Sequence, residues 1–275
     1  FPLMAASLLN IGLDLLLVGA CGMGISGAAI ATVFSQGFAA LLALGYLRWR
    51  QPQLLFGRAD MRFDWSMLRR TASFGLVSAL QQSAVYIGKL LVQGAVNSMG
   101  NEAINAYTAA TRIEGFANSF GDSGAEAISV FVAQNTGAGD PKRVKRGFFT
   151  GMLLMIGLGL TMSLVMFVGA HASLVLMLGE GGLGALEDGI GYLRWVSVFY
   201  TLCFIGSSYV GLYRGIGWVS VPVIGSTLQI TIRVILSYAL AGSLELVGVA
   251  VATGIGWSAI VLYQTLLFRA RVRLS

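Results

Sequence analysis

The chain has 275 residues, of which 56% are hydrophobic and only 11% are charged, and its mean hydropathy is +0.77. A soluble domain has about 25% charged residues, so this composition excludes a soluble globular protein. The net charge of +6 comes from basic residues in short segments between apolar runs, which is typical of membrane orientation and not of a nucleic-acid-binding patch.

Eight apolar segments are long enough to cross a membrane as helices, because a crossing of about 30 Å needs about 20 residues. They lie near 1–19, 24–47, 70–98, 103–136, 147–170, 188–213, 220–242 and 246–268. Strands of a membrane barrel need only about 10 residues each. The runs therefore predict an all-α integral membrane protein with about eight transmembrane helices.

The connections between these segments alternate in charge. The basic ones hold Arg48, Arg50, Arg58, Arg62, Arg69 and Arg70, then Lys142, Arg143, Lys145 and Arg146, then Arg214, and finally Arg269, Arg271 and Arg273. The intervening ones hold Glu102, Glu180, Glu187, Asp188 and Glu245 without Lys or Arg. The positive-inside rule predicts a multi-pass protein of the plasma (inner) membrane, with the basic loops and the carboxy terminus in the cytoplasm.

A short internal repeat predicts the domain organisation. The pattern Gly-x-Ala-x-Ala-Thr opens the second segment at 27–32 and the eighth at 248–253. If the two copies are equivalent, 70–275 is a complete six-helix lobe and 1–47 holds the last two helices of another lobe, as in transporters built from parallel repeats. The basic stretch 48–69 is then the cytoplasmic linker between the lobes.

Asn10 and Asp14 lie one helical turn apart, on one face of the first segment. An amide oxygen and a carboxylate suit a hard cation such as Na⁺, and a buried carboxylate can also take up a proton. Alternatively, the pair forms hydrogen bonds between helices, worth about 0.6 kcal/mol each on average. A charge at the bilayer centre costs about 2.5–3.5 kcal/mol on the insertion scale, so we favour the cation site.

An acidic stripe runs along the fourth segment at four-residue spacing, which keeps it on one side of a helix. Its members are Glu114, Asn118, Asp122 and Glu126. Lipid does not tolerate such a surface, so we expect the stripe to line a cavity and attract a cationic substrate. The alternative is a set of structural ion pairs, in which Glu114 pairs with Arg112, and Asp122 or Glu126 pairs with Lys89 or Arg233.

A third polar group joins two further segments. It comprises Gln81, Gln82, Tyr86 and Lys89 on the third segment with Gln229 and Arg233 on the seventh. We expect Gln82, Tyr86, Lys89 and Arg233 to line the same substrate cavity as the stripe. We interpret Lys89 and Arg233 as counter-ions of the acidic stripe in preference to anion-binding groups. The tryptophans, including Trp257, fall mostly near segment ends and fit an interfacial belt.

Several motifs in register resemble one transporter family. They are NIGLD at 10–14, GISGAAIAT at 24–32, GLVSALQQ at 75–82, QNTGAG at 134–139 before a basic cluster, and YRGIG at 213–217. In this order the chain resembles the multidrug and toxic compound extrusion (MATE) transporters, in the bacterial branch that includes DNA-damage-inducible members. The family usually continues the last motif with Asp, whereas Trp218 stands here.

The resemblance implies twelve helices in two six-helix lobes, of which this chain lacks the first four. It implies export of cationic or amphipathic compounds by a monomer, in antiport with Na⁺ or H⁺, without enzymatic activity or another cofactor. In relatives, the cation site of the amino-terminal lobe uses residues matched here by Asn10, Asp14 and Thr32, together with an Asp of the first helix. The alternatives are a lipid-linked saccharide flippase of the same superfamily and, from another class, a channel or receptor.

Overall fold

The computed structural model describes residues 2–55, 57, 63–179 and 184–271, and within these ranges it contains helices and short connections but no strand. Of the charged residues on which the predicted orientation rests, Arg58, Arg62, Glu180 and Arg273 lie outside the described residues.

The helices follow one another with short connections. They are α1 Pro2–Asp14, which continues as a π-helical segment over Leu15–Ala20, α2 Gly24–Arg50, a short 3₁₀ turn at Pro52–Leu54, α3 Trp65–Asn97, α4 Asn101–Gly137, α5 Pro141–Leu178, α6 Leu186–Gly215 and α7 Ser220–Arg271. Helix α7 breaks at Glu245, whose φ of 47° and ψ of −133° are not helical. We therefore divide it into α7a (220–244) and α7b (246–271). With this division, all eight predicted segments are helices.

Hydropathy separates the helices into two groups. Counting α7 once, five described helices are long and apolar enough to cross a membrane. The other two, α3 and α4, have 33 and 37 residues but carry more polar and charged side chains along their length. Polar side chains inside a membrane face the bundle interior or a water-filled cavity, so α3 and α4 are the helices expected to line an interior space.

The chain divides into two compact units, Phe1–Ser66 and Met67–Ser275. In the first unit, α1 and α2 form a helical hairpin in which Gly27 lies against the backbone of Leu17. The boundary between the units falls within 48–69, whose role as a linker between lobes remains a prediction.

Helix α6 forms the centre of the second unit, with Tyr192, Tyr200 and Phe204 fully buried. A side chain on Gly211 of α6 would collide with the carbonyl oxygen of Ala125 in α4. The two backbones therefore lie in direct contact, as small residues permit in membrane bundles. Helix α3 contacts α7a where Gly88 leaves space for the side chain of Ile230.

The two copies of the sequence repeat have the same local structure. Thr32 and Thr253 each donate a side-chain hydrogen bond to the carbonyl oxygen four residues earlier, at 2.9 and 2.8 Å. Gly27 and Gly248 each lie against backbone of the helix that precedes them. The equivalence of the two lobes remains a prediction.

Candidate functional site

A cavity of about 1340 Å³ lies within the second unit, between α3, α4, α6, α7a and α7b. Along α4 its lining extends from Tyr107 to Gln134, which is about 40 Å at 1.5 Å per residue. This length matches the depth of a bilayer. The volume exceeds that of typical small-molecule pockets, about 300–1,000 Å³, so a drug-sized molecule fits inside.

The polar residues predicted to line a cavity all lie on its wall. They are Gln82, Tyr86 and Lys89 of α3, Glu114, Asn118, Asp122 and Glu126 of α4, and Arg233 of α7a. The structure thus brings the acidic stripe and the polar residues of two other helices around one space. Their role in binding a substrate remains a prediction.

Glu114 is the buried member of the acidic stripe, with 6% of its surface exposed. The Tyr192 hydroxyl donates a 2.6 Å hydrogen bond to its carboxylate. The Tyr200 hydroxyl lies 2.9 Å from both the Glu114 carbonyl oxygen and the Asn118 amide oxygen, so its single hydrogen serves one of them at a time. Tyrosines, and not the exposed Arg112, therefore hold Glu114 in place.

Arg233 is equally deep in the unit, with 8% of its surface exposed. One of its terminal nitrogens donates a 3.2 Å hydrogen bond to the Tyr107 hydroxyl, and its Nε has no hydrogen-bond partner. The Tyr107 ring meets the Tyr192 ring edge to face, with centroids 5.5 Å apart. Arg233 and Glu114 are thus connected through two tyrosines, and the Arg233 charge also attracts the Glu114 carboxylate through space.

The remaining acids of the stripe are arranged differently. Asp122 and Glu126 are exposed on the cavity wall, eight and twelve residues after Glu114 toward the end of α4. The stripe therefore passes from a buried carboxylate held by tyrosines to two accessible carboxylates. Accessible carboxylates are the ones that can contact a cationic ligand directly.

Two residues on the cavity wall, Trp257 and Cys203, were not predicted from the sequence. Trp257 lies in the middle of α7b and meets Tyr200 edge to face at 5.4 Å, so the interfacial belt is the wrong interpretation for this tryptophan. Cys203 also lines the cavity, with its Sγ 3.8 Å from the Asn118 amide oxygen. The two tyrosines that hold Glu114 were also not predicted. Tyr192 and Tyr200 are eight residues apart, about two helical turns, and therefore lie on one face of α6. This spacing is the signal in the sequence that could have identified them.

The predicted cation site lies in the first unit. The Asn10 side-chain nitrogen and one Asp14 carboxylate oxygen are buried without a hydrogen-bond partner. Asp14 is the last residue of α1 before the π-helical segment, and such segments occur frequently at functional sites. Thr32 is exposed and its hydroxyl donates to the carbonyl of Ala28 at 2.9 Å, which leaves its oxygen lone pairs available. A role in cation binding remains a prediction for all three.

Long apolar helices around a polar cavity that extends through the bilayer depth define a multi-pass α-helical membrane protein. The model of the MatE family matches residues 78–239, more than half of the chain. The chain therefore belongs to the MatE family.

Two curated relatives illustrate the similarity. The probable multidrug resistance protein YpnP of Bacillus subtilis is 28% identical over 214 residues, covering 77% of this chain and 47% of that protein. An FAD transporter of Shewanella oneidensis is 30% identical over 159 residues, covering 55% of this chain and 34% of that protein. The chain thus spans less than half the length of these relatives.

Solved structures have the same fold. A MOP superfamily transporter from Pyrococcus furiosus superimposes with a TM-score of 0.87 at 21% identity, covering 97% of this chain and 60% of that one. A MATE structure in complex with MaL6 gives a TM-score of 0.87 at 22% identity, with the same coverage. The predicted fold class, an all-α membrane protein like part of a MATE transporter, is confirmed.

Proposed function

We propose that the chain is part of a secondary active transporter that exports cationic or amphipathic small molecules by antiport with Na⁺ or H⁺. The observation that carries this proposal is the polar cavity of about 1340 Å³ with Asp122 and Glu126 exposed on its wall. The relative named as a probable multidrug resistance protein, YpnP, supports the export of small molecules.

The cavity offers two kinds of interaction to an organic cation. The carboxylates of Asp122 and Glu126 attract positive charge more strongly inside a membrane protein than in water, because the surrounding dielectric constant is lower. The Trp257 ring also lines the cavity, and aromatic faces attract cations within about 6 Å. Both interactions tolerate ligands of varied shape, as multidrug export requires.

Coupling to the ion gradient is assigned to Asn10, Asp14 and Thr32. Buried polar atoms without partners are unfavourable by about 1–3 kcal/mol each, and a bound Na⁺ or proton would relieve this at Asp14. In this proposal the site takes up the ion in one conformation and releases it as substrate binds in the other. In this proposal the helix ends at the basic connections lie in the cytoplasm, as the positive-inside rule predicts, and export runs outward across the plasma (inner) membrane.

A lipid-linked saccharide flippase is the nearest alternative within the superfamily. Such a protein would require a groove that is basic overall, whereas in this cavity the three carboxylates of α4 balance the three basic side chains Lys89, Arg214 and Arg233. A channel is the alternative from another class, and it would conduct without coupling to a gradient.

The test is ethidium export by the protein in its full natural length, reconstituted in vesicles with an imposed sodium or proton gradient. We expect gradient-dependent export in the wild type and none in Asp14→Asn. Asp188→Asn is the matched control, since it makes the same chemical change in the first turn of α6, outside the cavity, and should export normally. Gradient-driven export at the wild-type rate in Asp14→Asn would refute the assigned coupling site.

A further inference from the structure

The first two turns of α5 carry a concentration of positive charge that lies outside the cavity. Its members, all exposed, are Lys142, Arg143, Lys145 and Arg146. Asp140 is the only acid between Glu126 and Glu180 in the sequence, and its carboxylate accepts a hydrogen bond from the Arg143 backbone at 3.0 Å. Within the described part of the chain, no ion pair neutralises these basic side chains. The first turns of α5 therefore keep a net positive charge that an anion from outside the protein can balance.

This charge continues into an exposed apolar face of α5. Val144 and Phe148 are buried in the bundle. Arg146, Phe149 and Leu153 are exposed, and their spacing of three and four residues places them on one outward face. Helix α5 is long and apolar enough to cross a membrane, so this face meets lipid. It is positively charged at its beginning and apolar over the following turns.

Helix α7b has the same arrangement in the opposite chain direction. Leu262, Leu266 and Arg269 are exposed and follow one another at four- and three-residue spacing, so they share one face. The start of α5 and the end of α7b are neighbours, because the rings of Phe149 and Phe268 meet edge to face with centroids 6.1 Å apart. Both helices therefore carry positive charge at the same end of the second unit and exposed apolar side chains farther along.

The contact between the two rings brings basic side chains of both helices close together. Arg146 lies three residues before Phe149, about one turn nearer the start of α5, and Arg269 directly follows Phe268. Both charges thus lie beyond the ring pair, toward the same end of the bundle. A negatively charged group at this end can contact α5 and α7b at once.

A lipid matches this surface better than a soluble anion does. One leaflet contributes about 15 Å of hydrocarbon, half the thickness of the bilayer core, and ten helical residues span this distance. The exposed side chains of Phe149 and Leu153 lie within ten residues after Arg146. A molecule with phosphate at Arg146 and acyl chains along the helix contacts both parts of the face, whereas a soluble anion contacts only the charged part.

We propose that Arg146 and Arg269 bind the headgroup of an anionic phospholipid that carries two phosphates, while its acyl chains lie along the exposed apolar residues of α5 and α7b. Guanidinium groups bind phosphate through two parallel charge-assisted hydrogen bonds, and basic pockets between transmembrane helices bind cardiolipin headgroups. Lys142 and Lys145 add positive charge beside Arg146, which matches a second phosphate. The site lies outside the cavity and does not depend on transport or on the coupling ion.

Native mass spectrometry of the purified full-length protein tests the site. The protein is titrated with cardiolipin, with phosphatidylglycerol, which has one phosphate, and with phosphatidylcholine, which has no net charge. We expect cardiolipin to bind at least threefold more tightly than phosphatidylglycerol and about tenfold more tightly than phosphatidylcholine, the latter equivalent to about 1.4 kcal/mol. Equal binding of cardiolipin and either other lipid would overturn the proposal. Displacement of cardiolipin by excess inorganic phosphate would assign the surface to a soluble anion and overturn it as well.

Double variants distinguish a site from general attraction between a basic protein and acidic lipid. Arg146→Gln with Arg269→Gln should bring the affinity for cardiolipin to within twofold of that for phosphatidylcholine. Arg48→Gln with Arg69→Gln is the matched control, since it removes two exposed arginines from α2 and α3 and should retain the preference. All four side chains are exposed, and thermal unfolding checks that both double variants fold as the wild type does. An equal loss of preference in the two double variants, or no loss in the first, would contradict the assignment.

The lipid site and the proposed function fail separately. Lipid binding is measured without a gradient and without a transported dye, so its failure leaves ethidium export intact as a test of function. Conversely, a protein that exports nothing under either gradient but prefers cardiolipin through Arg146 and Arg269 would retain the lipid site and refute the antiporter.

Discussion

Replacing Tyr192 with Phe removes one hydroxyl from the centre of the second unit. That hydroxyl donates the 2.6 Å hydrogen bond to the carboxylate of Glu114, and both residues are buried. Phenylalanine retains the ring and its edge-to-face contact with Tyr107. The substitution therefore tests the hydrogen bond with little change in packing.

The expected loss follows from leaving one buried carboxylate oxygen without its donor. Such a loss is worth about 1–3 kcal/mol. For a unit of about 200 residues, each kcal/mol corresponds to about 2–4 °C in Tm. Tyr192→Phe should therefore lower Tm by about 2–12 °C. In a Glu114→Gln background the same change should lower Tm less, because residues in direct contact are not additive.

The measurement is thermal unfolding of the purified protein in one detergent, followed by intrinsic fluorescence. Tyr238→Phe is the matched control, since Tyr238 is 52% exposed and the described structure records no hydrogen bond from its hydroxyl. The control should change Tm by less than 1 °C. If Tyr192→Phe changed Tm no more than Tyr238→Phe, the tyrosine-held carboxylate would be the wrong description of this site.

Three further substitutions have defined outcomes. Gly211→Val should prevent normal folding, because its side chain would collide with the carbonyl oxygen of Ala125; gel filtration of detergent extracts should show loss of the monodisperse protein. Glu245→Gly should raise Tm, because a non-glycine residue held at φ 47° and ψ −133° is strained by about 1–3 kcal/mol. Trp257→Ala should weaken the binding of ethidium to the purified full-length protein at least threefold, as measured by the fluorescence anisotropy of the dye, since it removes an aromatic wall of the cavity.

Each of these changes has a control elsewhere in the chain. Gly157→Val places a side chain in open space and should yield monodisperse protein. Ser243→Gly lies in helical backbone two residues before the break and should leave Tm unchanged or lower it. Trp195→Ala removes a half-exposed tryptophan outside the cavity wall and should leave dye binding unchanged. Equal effects in a variant and its control would contradict the corresponding explanation.

Hydropathy predicted the number of helices but not their full length. Helix α5 begins at Pro141, six residues before the predicted 147, because its basic first turns extend beyond the apolar part. The sequence Asp140-Pro141 is a typical helix start and indicates the true beginning of α5. In the structure Asp140 caps the helix by accepting a hydrogen bond from the Arg143 backbone at 3.0 Å, and Pro141 occupies the first helical position. Hydropathy reports the lipid-facing length, whereas capping residues report where the helix begins.

The acidic stripe was predictable because it lies on one helix, where a four-residue spacing determines the face. Its partners were not, because Tyr192 is 78 residues from Glu114 in sequence. Periodicity indicates which side of a helix is polar but not which helix it meets. The sequence also did not show that Arg233 donates a hydrogen bond to Tyr107. Its charge attracts the Glu114 carboxylate through space, and its interpretation as a counter-ion of the stripe stays a prediction.

Antiport is tested most directly by running it in reverse, with a substrate gradient and no imposed ion gradient. Vesicles containing the full-length protein are loaded with ethidium and diluted into dye-free buffer, and Na⁺ and pH indicators follow the ions. The account predicts that ethidium efflux drives Na⁺ or H⁺ into the vesicles, and that Asp14→Asn abolishes this ion movement while Asp188→Asn preserves it. Ethidium efflux through the wild type without movement of either ion would contradict it.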